Sequence, residues 1–335
     1  MARQIGVGVV GLDHWYTAFG VVEQAARGQG ARLVAVADKS RKRLGEVAAK
    51  YKAGYVTTDF EKVIGDPNVD LVCSLVNTRD SVAVTREALK AGKHVACVKP
   101  MAMTLRQADA LIALAEKQDR VLWSFDQLGR GRANAELKSL LKRGAIGEPL
   151  SLFQTMWSGL PKPWPGKTGP SWWTDPKRAP FGAWADHGIY TIDMLRFLFE
   201  AEVEVAHGEI GNLVYPDLKV EDYGLATLRF SNGVVAVIED TWTAAGFWPH
   251  WTKFVGTKGV IHIERGAYGD QPVLATAKGV KPIKLGQRGG GLLDPVLALV
   301  RKGVAKPSPA RESRTNLAIA FAVYRSAATG RYVRM

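Results

Sequence analysis

Ile5-Gly6-Val7-Gly8-Val9-Val10-Gly11-Leu12-Asp13-His14-Trp15-Tyr16 is an apolar strand that ends on a glycine and runs into the start of a helix. A strand, a tight turn and a helix in that order set a pyrophosphate against unpaired helix amides in a Rossmann fold. The match Gly6-x-Gly8-x-x-Gly11 is superficial because Gly6 and Gly8 lie inside the strand, so the turn belongs to Gly11. Asp13 then stands where a second glycine would let the backbone approach the phosphates. Its carboxylate repels a pyrophosphate unless the side chain turns away, and capping the following helix is the expected way to do so.

The alternation continues outward from this turn. Arg32–Ala37, Asp70–Leu75, His94–Val98 and Val121–Ser124 read as strands, and His14–Arg27, Arg41–Tyr51, Thr85–Ala91 and Leu105–Lys117 as helices. The pattern predicts an α/β, doubly wound sheet of six parallel strands over residues 1–124, with its ligand crevice beyond the strands' carboxyl ends. Asp38 closes the second strand, the place for a carboxylate that accepts the adenine ribose hydroxyls, which favours NAD. Ser40 and Arg41 leave NADP open, and Asp38 as a helix cap is the structural alternative. Gly11, Leu12, Asp13, His14 and Trp15, then Asp38, Lys39, Ser40 and Arg41, then Val76 and Asn77 form the expected dinucleotide rim.

Beyond Ser124 the pattern changes. A helix over Ala133–Lys142 and the turn 144–149 lead into strands Tyr223–Phe230, Val234–Thr241 and Lys253–Glu264, joined by Ser231-Asn232-Gly233 and Gly256-Thr257-Lys258-Gly259. Residues 125–335 are expected to form an α+β substrate and oligomerisation domain with a large, mostly antiparallel sheet. Helix Ala185–Phe199 should cover one face, and a last helix, Arg311–Ala328, has room to pack back on the first domain. Leu160–Pro180 is a Pro- and Trp-rich loop without a period, a candidate lid or substrate wall. Eight of the ten tryptophans fall between Trp157 and Trp251, and flat indoles suit the C–H faces and hydroxyls of a sugar ring. Trp157, Trp172 and Trp173 are the substrate candidates, with Lys162 and Arg178 as cations that leave a carboxylated sugar open.

Composition sets the outer bounds. The 335 residues are 47% apolar and 23% charged, enough for two folded cores. The net charge of +13 is spread along the chain rather than clustered, so no nucleic-acid partner is expected. Cys73 and Cys97 sit in apolar runs and suit core thiols in a reducing compartment, and the six histidines show no metal-ligand spacing. No apolar run approaches bilayer length, and Met1-Ala2-Arg3-Gln4 leads into the first strand without the regions of a signal peptide. No membrane partner is expected, and cytoplasmic residence is.

Ala91-Gly92-Lys93-His94-Val95-Ala96-Cys97-Val98-Lys99-Pro100 resembles the AGKHVxxEKP signature of the Gfo/Idh/MocA oxidoreductases. Asp186-His187-Gly188-Ile189-Tyr190-Thr191-Ile192-Asp193 is similar to the same family's D-x-G-x-H-x-x-D helix, and the echoes at Gly144-Ala145-Ile146-Gly147, Glu221-Asp222 and 256–259 extend the resemblance over essentially the whole chain. It implies a Rossmann domain followed by a sheet domain whose open face makes dimers or tetramers. It also implies that Lys99 is the catalytic lysine, often preceding a cis Lys-Pro bond, with Lys99 and Pro100 at the cofactor and Lys99 at the substrate. Val98 departs from the family's glutamate, Tyr190 from its usual histidine, and Ser81, Asn77 and Thr78 from the pattern after the fourth strand.

Asp186 lies four residues before Tyr190, so both project from one helix face. A lysine ammonium beside Tyr190 would favour phenolate, so Lys99 and Tyr190 read as an acid–base pair and Asp186 as its orienting group. His187 falls one step off that face, and Asp193 suits buried donors. The resulting expectation is an NAD(P)-dependent dehydrogenase or reductase that passes a hydride between nicotinamide and a secondary alcohol of a sugar, polyol or sugar derivative, with Lys99, Tyr190 and Asp186 catalytic and Lys99, Trp157, Trp172, Trp173, Asp186 and Tyr190 around the substrate. A redox-type NAD-dependent glycosidase and a non-catalytic dinucleotide sensor remain as alternatives.

Overall fold

The computed structural model describes residues 4–28, 30–244, 250–265, 272–286 and 290–335. The first half runs β1 (Ile5–Val10), α1 (Trp15–Ala26), β2 (Ala31–Ala37), α2 (Arg41–Lys50), β3 (Tyr55–Thr57), α3 (Phe60–Gly65), β4 (Leu71–Ser74), α4 (Thr78–Lys90), β5 (His94–Cys97), α5 (Leu105–Lys117) and β6 (Leu122–Ser124). All six strands are parallel in the order β3-β2-β1-β4-β5-β6. The chain direction across the sheet reverses between β1 and β4, which opens the crevice at their carboxyl ends. β1 is buried along its whole length, as a strand covered by helices on both faces must be.

Two elements differ from the sequence expectation. The sixth strand is β3, a three-residue edge strand too short to show a period. Helix α4 starts at Thr78, not Thr85, because Asn77 caps it by accepting the Asp80 amide; its first turn, Thr78-Arg79-Asp80-Ser81, carries no large apolar side chain to reveal the helix.

The second half runs α6 (Arg132–Lys142), β7 (Pro149–Trp157), α7 (Ala183–Phe199), β8 (Val203–Gly211), β9 (Tyr223–Phe230), β10 (Val235–Thr241), β11 (His250–Gly256), β12 (Gly259–Arg265), β13 (Val273–Thr276), β14 (Gly279–Pro282), α8 (Asp294–Lys302), α9 (Ala310–Thr329) and β15 (Val333–Arg334). Its nine strands lie in the order β14-β13-β12-β11-β7-β10-β9-β8-β15, antiparallel except for the β7–β10 pair. Alternation sorts the faces: Leu152 and Gln154 of β7 and Ala236, Ile238 and Asp240 of β10 are buried on the side of α7, where Gln154 bonds Thr191, whereas Phe153 on the other side is exposed. Helix α7 has no cap of its own. Glu221 supplies it, accepting the amides of Gly182 and Trp184 at 3.0 Å, and burial pushes its carboxyl up to about 7.

The chain's end ties the halves together. On α9, Arg311 pairs with Glu116 and Arg314 with Asp109, both at 2.8 Å and both to α5. Leu293, Val296 and Leu297 at α8 join the core of Val21, Val22 and Ala25 on α1. Among the described residues no helix is long and apolar enough to cross a membrane.

Gly11 holds the turn that all later geometry uses: its φ is +87°, and an added Cβ would lie 2.2 Å from Val76 Cγ1. Gly11→Ala is expected to lower stability by roughly 1–3 kcal/mol or more, from left-handed strain plus the clash. Denaturant unfolding checks this, and an unchanged midpoint would show that the turn accepts a side chain.

Candidate active site

Lys99 follows β5 and is 2% exposed, behind a cis bond to Pro100. Its Nζ lies 2.5 Å from Asp186 Oδ1 on α7 and also donates to the Asp186 carbonyl. The ammonium rests over two aromatic faces, Trp173 at 4.3 Å and Tyr190 at 4.9 Å. Asp186 Oδ2 accepts Trp242 Nε1 at 3.1 Å. Burial disfavours the Asp186 anion, but Lys99 and then His187 outweigh it and hold the carboxyl well below the usual range. The two ends of the fold therefore meet in one buried ion pair.

Tyr190 is where the helix spacing placed it, yet the phenolate expectation is overturned. Burial first, then the charges of Asp186 and Asp126, raise its hydroxyl well above 10. Lys99 cannot reverse this, because its charge faces the ring and is answered by Asp186. Tyr190 is a neutral phenol.

His187 and Asp240 were missed as members of this cluster. His187 Nδ1 lies 3.3 Å from Asp240 Oδ1, and Nε2 lies 3.7 Å from Asp186 Oδ2. Desolvation lowers His187, but Asp186 and Asp240 more than compensate and its pKa is raised; burial pushes the Asp240 carboxyl up to about 7. A charged residue at an inward position of β10 was the available signal, since burying a lone carboxylate is costly. His14 closes the near side. It is buried, packs edge-on against Trp173 at 5.4 Å, and neither ring nitrogen has a hydrogen-bond partner among the described residues. Burial, then Lys99, lowers its pKa to about 3, so the imidazole is neutral.

At the dinucleotide end Asp13 does turn aside, but not to cap α1, whose N-cap is His14 with no side-chain bond. Its Oδ1 lies 3.1 Å from Arg43, and its Oδ2 lies 3.3 Å from Arg178 and accepts the Asn77 amide at 3.2 Å. Asp38 does not cap a helix either: it accepts Leu12 N and Ser40 N, both at 2.8 Å, and so braces the turn, while Ser40 caps α2. Lys39 and Arg41 are exposed at the rim, and Val76 backs Gly11. This end fits a dinucleotide on two observations. The first turn of α1 has neither a side-chain cap nor an acidic residue, leaving amides for an anion, and Arg43 and Arg178 both pair with the Asp13 carboxylate.

The loop before α7 lies across this end. Trp15 Nε1 donates to the Lys162 carbonyl at 3.0 Å, Trp164 Nε1 to Glu46 at 2.9 Å and Trp172 Nε1 to the Asp13 carbonyl at 3.1 Å. Trp172 and Trp173 stack at 3.9 Å, so Trp173 walls the Lys99 site while Trp172 pins the turn. Arg178 is committed to Asp13. Trp157 is not brought to the site: it lies on the face of the sheet away from α7, with Nε1 2.6 Å from Glu239, and odd-numbered β7 positions all point that way. Asp193 binds Arg130 and Asn316, a structural role.

A parallel-sheet dinucleotide fold joined through a buried lysine to an antiparallel sheet domain defines an oxidoreductase class. Residues 5–125 match the oxidoreductase family with an NAD-binding Rossmann fold, and residues 134–262 match the GFO/IDH/MocA C-terminal domain. The chain belongs to the Gfo/Idh/MocA oxidoreductase family. It is 30% identical to myo-inositol 2-dehydrogenase of Thermotoga maritima over 77% of this chain and 73% of that one. It is 29% identical to 1,5-anhydro-D-fructose reductase of Ensifer adhaerens over 91% and 92%. Aldose-aldose oxidoreductase of Caulobacter crescentus, solved with glycerol, superposes with a TM-score of 0.85 at 23% identity, over 99% of this chain and all of that one.

Removing the carboxylate from the buried pair leaves an uncompensated ammonium. Asp186→Asn is expected to cost about 3 kcal/mol of stability, whereas the paired replacement of Lys99→Met with Asp186→Leu should cost less than the sum of its parts. Chemical denaturation of Asp186→Asn, of the singles Lys99→Met and Asp186→Leu and of their double variant checks it, and an Asp186→Asn midpoint equal to wild type would mean that the pair does not form.

Proposed function

We propose that this protein is an NAD(P)-dependent dehydrogenase or reductase acting on a secondary alcohol of a sugar, polyol or sugar derivative. The observation that carries the reading is the Lys99 ammonium, fixed by Asp186 and walled by Trp173, Tyr190 and His14. The names of the relatives support it, since they act on an inositol and an anhydro sugar. The dinucleotide is held along Gly11–Trp15, by the Asp38–Arg41 end, at Val76 and Asn77, and against Lys99 and Pro100. When bound, its nicotinamide supplies the hydride acceptor or donor.

The protein's own groups do the rest. Lys99 donates a hydrogen bond to the reacting oxygen and stabilises negative charge there as the proton leaves. Tyr190, whose hydroxyl has no bond among the described residues, donates to the same oxygen as a neutral phenol. Asp186 holds Lys99 in place, and Trp172 and Trp173 exclude water and offer a flat face to the ring. NAD is the preferred cofactor in this reading, with NADP accepted. A cytoplasmic homodimer or homotetramer built on the sheet face that carries Phe153 completes the proposal.

The test is a panel of sugars, polyols and sugar acids with NAD or NADP, following reduced-cofactor absorbance. Wild type should turn over at least one member, and Lys99→Ala should lower kcat at least ~10²-fold with dinucleotide binding retained. Dinucleotide binding without turnover on the whole panel, or turnover indifferent to Lys99→Ala, would refute the reading.

A further inference from the structure

Lys99, Asp186, His187 and Asp240 form a line of alternating basic and acidic side chains running from the Lys99 ammonium into the sheet. Lys99 Nζ meets Asp186 Oδ1 at 2.5 Å, Asp186 Oδ2 faces His187 Nε2 at 3.7 Å, and His187 Nδ1 meets Asp240 Oδ1 at 3.3 Å. The far oxygen, Asp240 Oδ2, is buried with no hydrogen-bond partner among the described residues. The helix explains the placement. At 100° per residue Tyr190 lies between Asp186 and His187, so all three share one arc of α7. The even-numbered register of β10 puts Asp240 beneath them. His187 keeps 23% of its side chain accessible, the largest share of the four, whereas Asp240 keeps 1%.

A buried carboxylate with one oxygen unbonded, aimed at an imidazole, is costly unless the imidazole carries charge for part of its working cycle. The proposed reaction releases a proton, and neither of the nearer candidates can hold it. Tyr190 is a neutral phenol with its hydroxyl raised, and His14 is a neutral imidazole pushed down to about 3. We infer that His187, held by Asp240, is the group that takes up and returns the proton exchanged at Lys99, acting through Asp186. The inference rests on the dehydrogenase reading above.

In oxidation the carbinol C–H bond breaks and its electron pair leaves with the hydride to the nicotinamide, while the C–O bond becomes a carbonyl. The hydroxyl proton passes to Lys99 Nζ as one Lys99 proton passes to Asp186 Oδ1, and turning of the Asp186 carboxyl then carries that proton across the 3.7 Å gap to Nε2 of neutral His187. Lys99 stays an ammonium, Asp186 stays a carboxylate, and the new imidazolium lies between two carboxylates until its proton leaves to water. Reduction runs the same steps backwards. The charged and titratable groups facing His187 are Asp186 and Tyr190 on α7, Asp240 on β10, Lys99 after β5 and His14 before α1. The two carboxylates favour its protonated form, and Lys99 opposes it.

The sign of the pH effect follows. Oxidation needs neutral His187, so kcat rises with pH through its midpoint, and removing the Asp240 charge moves that rise to lower pH. The experiment has two arms on the full-length protein. In the first, kcat and KM are measured against pH for wild type, His187→Asn, His187→Gln and Asp240→Asn with dinucleotide and the best panel substrate. The His187 variants should lose the limb and at least about tenfold in kcat, with KM and dinucleotide affinity within about threefold; Asp240→Asn should keep the limb, displaced to lower pH. An unchanged limb in both His187 variants, or a loss confined to KM, overturns the inference.

The second arm follows the His187 ring carbon by NMR against pH in wild type, Asp240→Asn and Asp186→Asn, without turnover. Its midpoint should fall in each variant. A midpoint unmoved by Asp240→Asn overturns the inference even if no panel substrate is ever found, whereas a silent panel with a responsive His187 sinks only the dehydrogenase reading.

Discussion

The buried ion pair between Lys99 and Asp186 is the contact on which the rest of the molecule is arranged. Moving an ammonium and a carboxylate out of water costs several kcal/mol per ion even after relaxation, and their attraction offsets this only with good geometry and few bonds left unmade. Both conditions are met by groups far apart in the chain: the Asp186 carbonyl and carboxylate for Lys99, and Trp242 for the second carboxylate oxygen. Because Lys99 ends a Rossmann strand and Asp186 opens the helix covering the antiparallel sheet, the pair fixes the two halves relative to each other. The α9 network on α5 and the packing of α8 on α1 restrain the same movement from outside.

The pair also orders the charges around it. In a low-dielectric site each group's charge is set by its neighbours: Lys99 holds the Asp186 carboxyl low, Asp186 and Asp240 raise His187, burial raises Asp240, and His14 and Tyr190 stay neutral. Asp186 stays ionised in spite of burial because Lys99 first, and His187 after it, favour its charge. Tyr190 has the opposite fate beside the same carboxylate, since a nearby anion adds to what burial already does to a phenol. One helix turn therefore carries a charged and an uncharged group at the same cleft, a division of labour that neither side chain has alone.

The backbone frame was largely legible because it is written in local patterns. Gly11 after an apolar strand, the Lys99-Pro100 segment and the Asp186 to Asp193 helix each reveal themselves over a few residues, and the spacing of Asp186 and Tyr190 put both at the site. What failed depended on the partner across the fold. Proximity to a lysine predicts a Tyr190 phenolate, but the lysine's charge is already answered by Asp186. The residue type of Trp157 suits a sugar ring, yet strand parity sends it to the other face of the sheet. Asp240 and Trp242 carried no motif, and their meaning comes only from β10 lying under α7.

Asp13 shows how a local rule can break without loss of sense. A glycine at that position serves an anion by removing bulk; an aspartate adds bulk and the wrong sign. The structure offsets both, because the carboxylate is drawn sideways to the Asn77 amide and is outnumbered by Arg43 and Arg178. Arg178 arrives from the loop that also brings Trp172 onto the Asp13 carbonyl and Trp164 onto Glu46. The substitution thus makes the turn an anchor for that loop, and a loop anchored there also delivers Trp173 to the face of Lys99. The departure at residue 13 and Trp172, 159 residues away, are parts of one arrangement, in which the cofactor turn holds the wall of the substrate site.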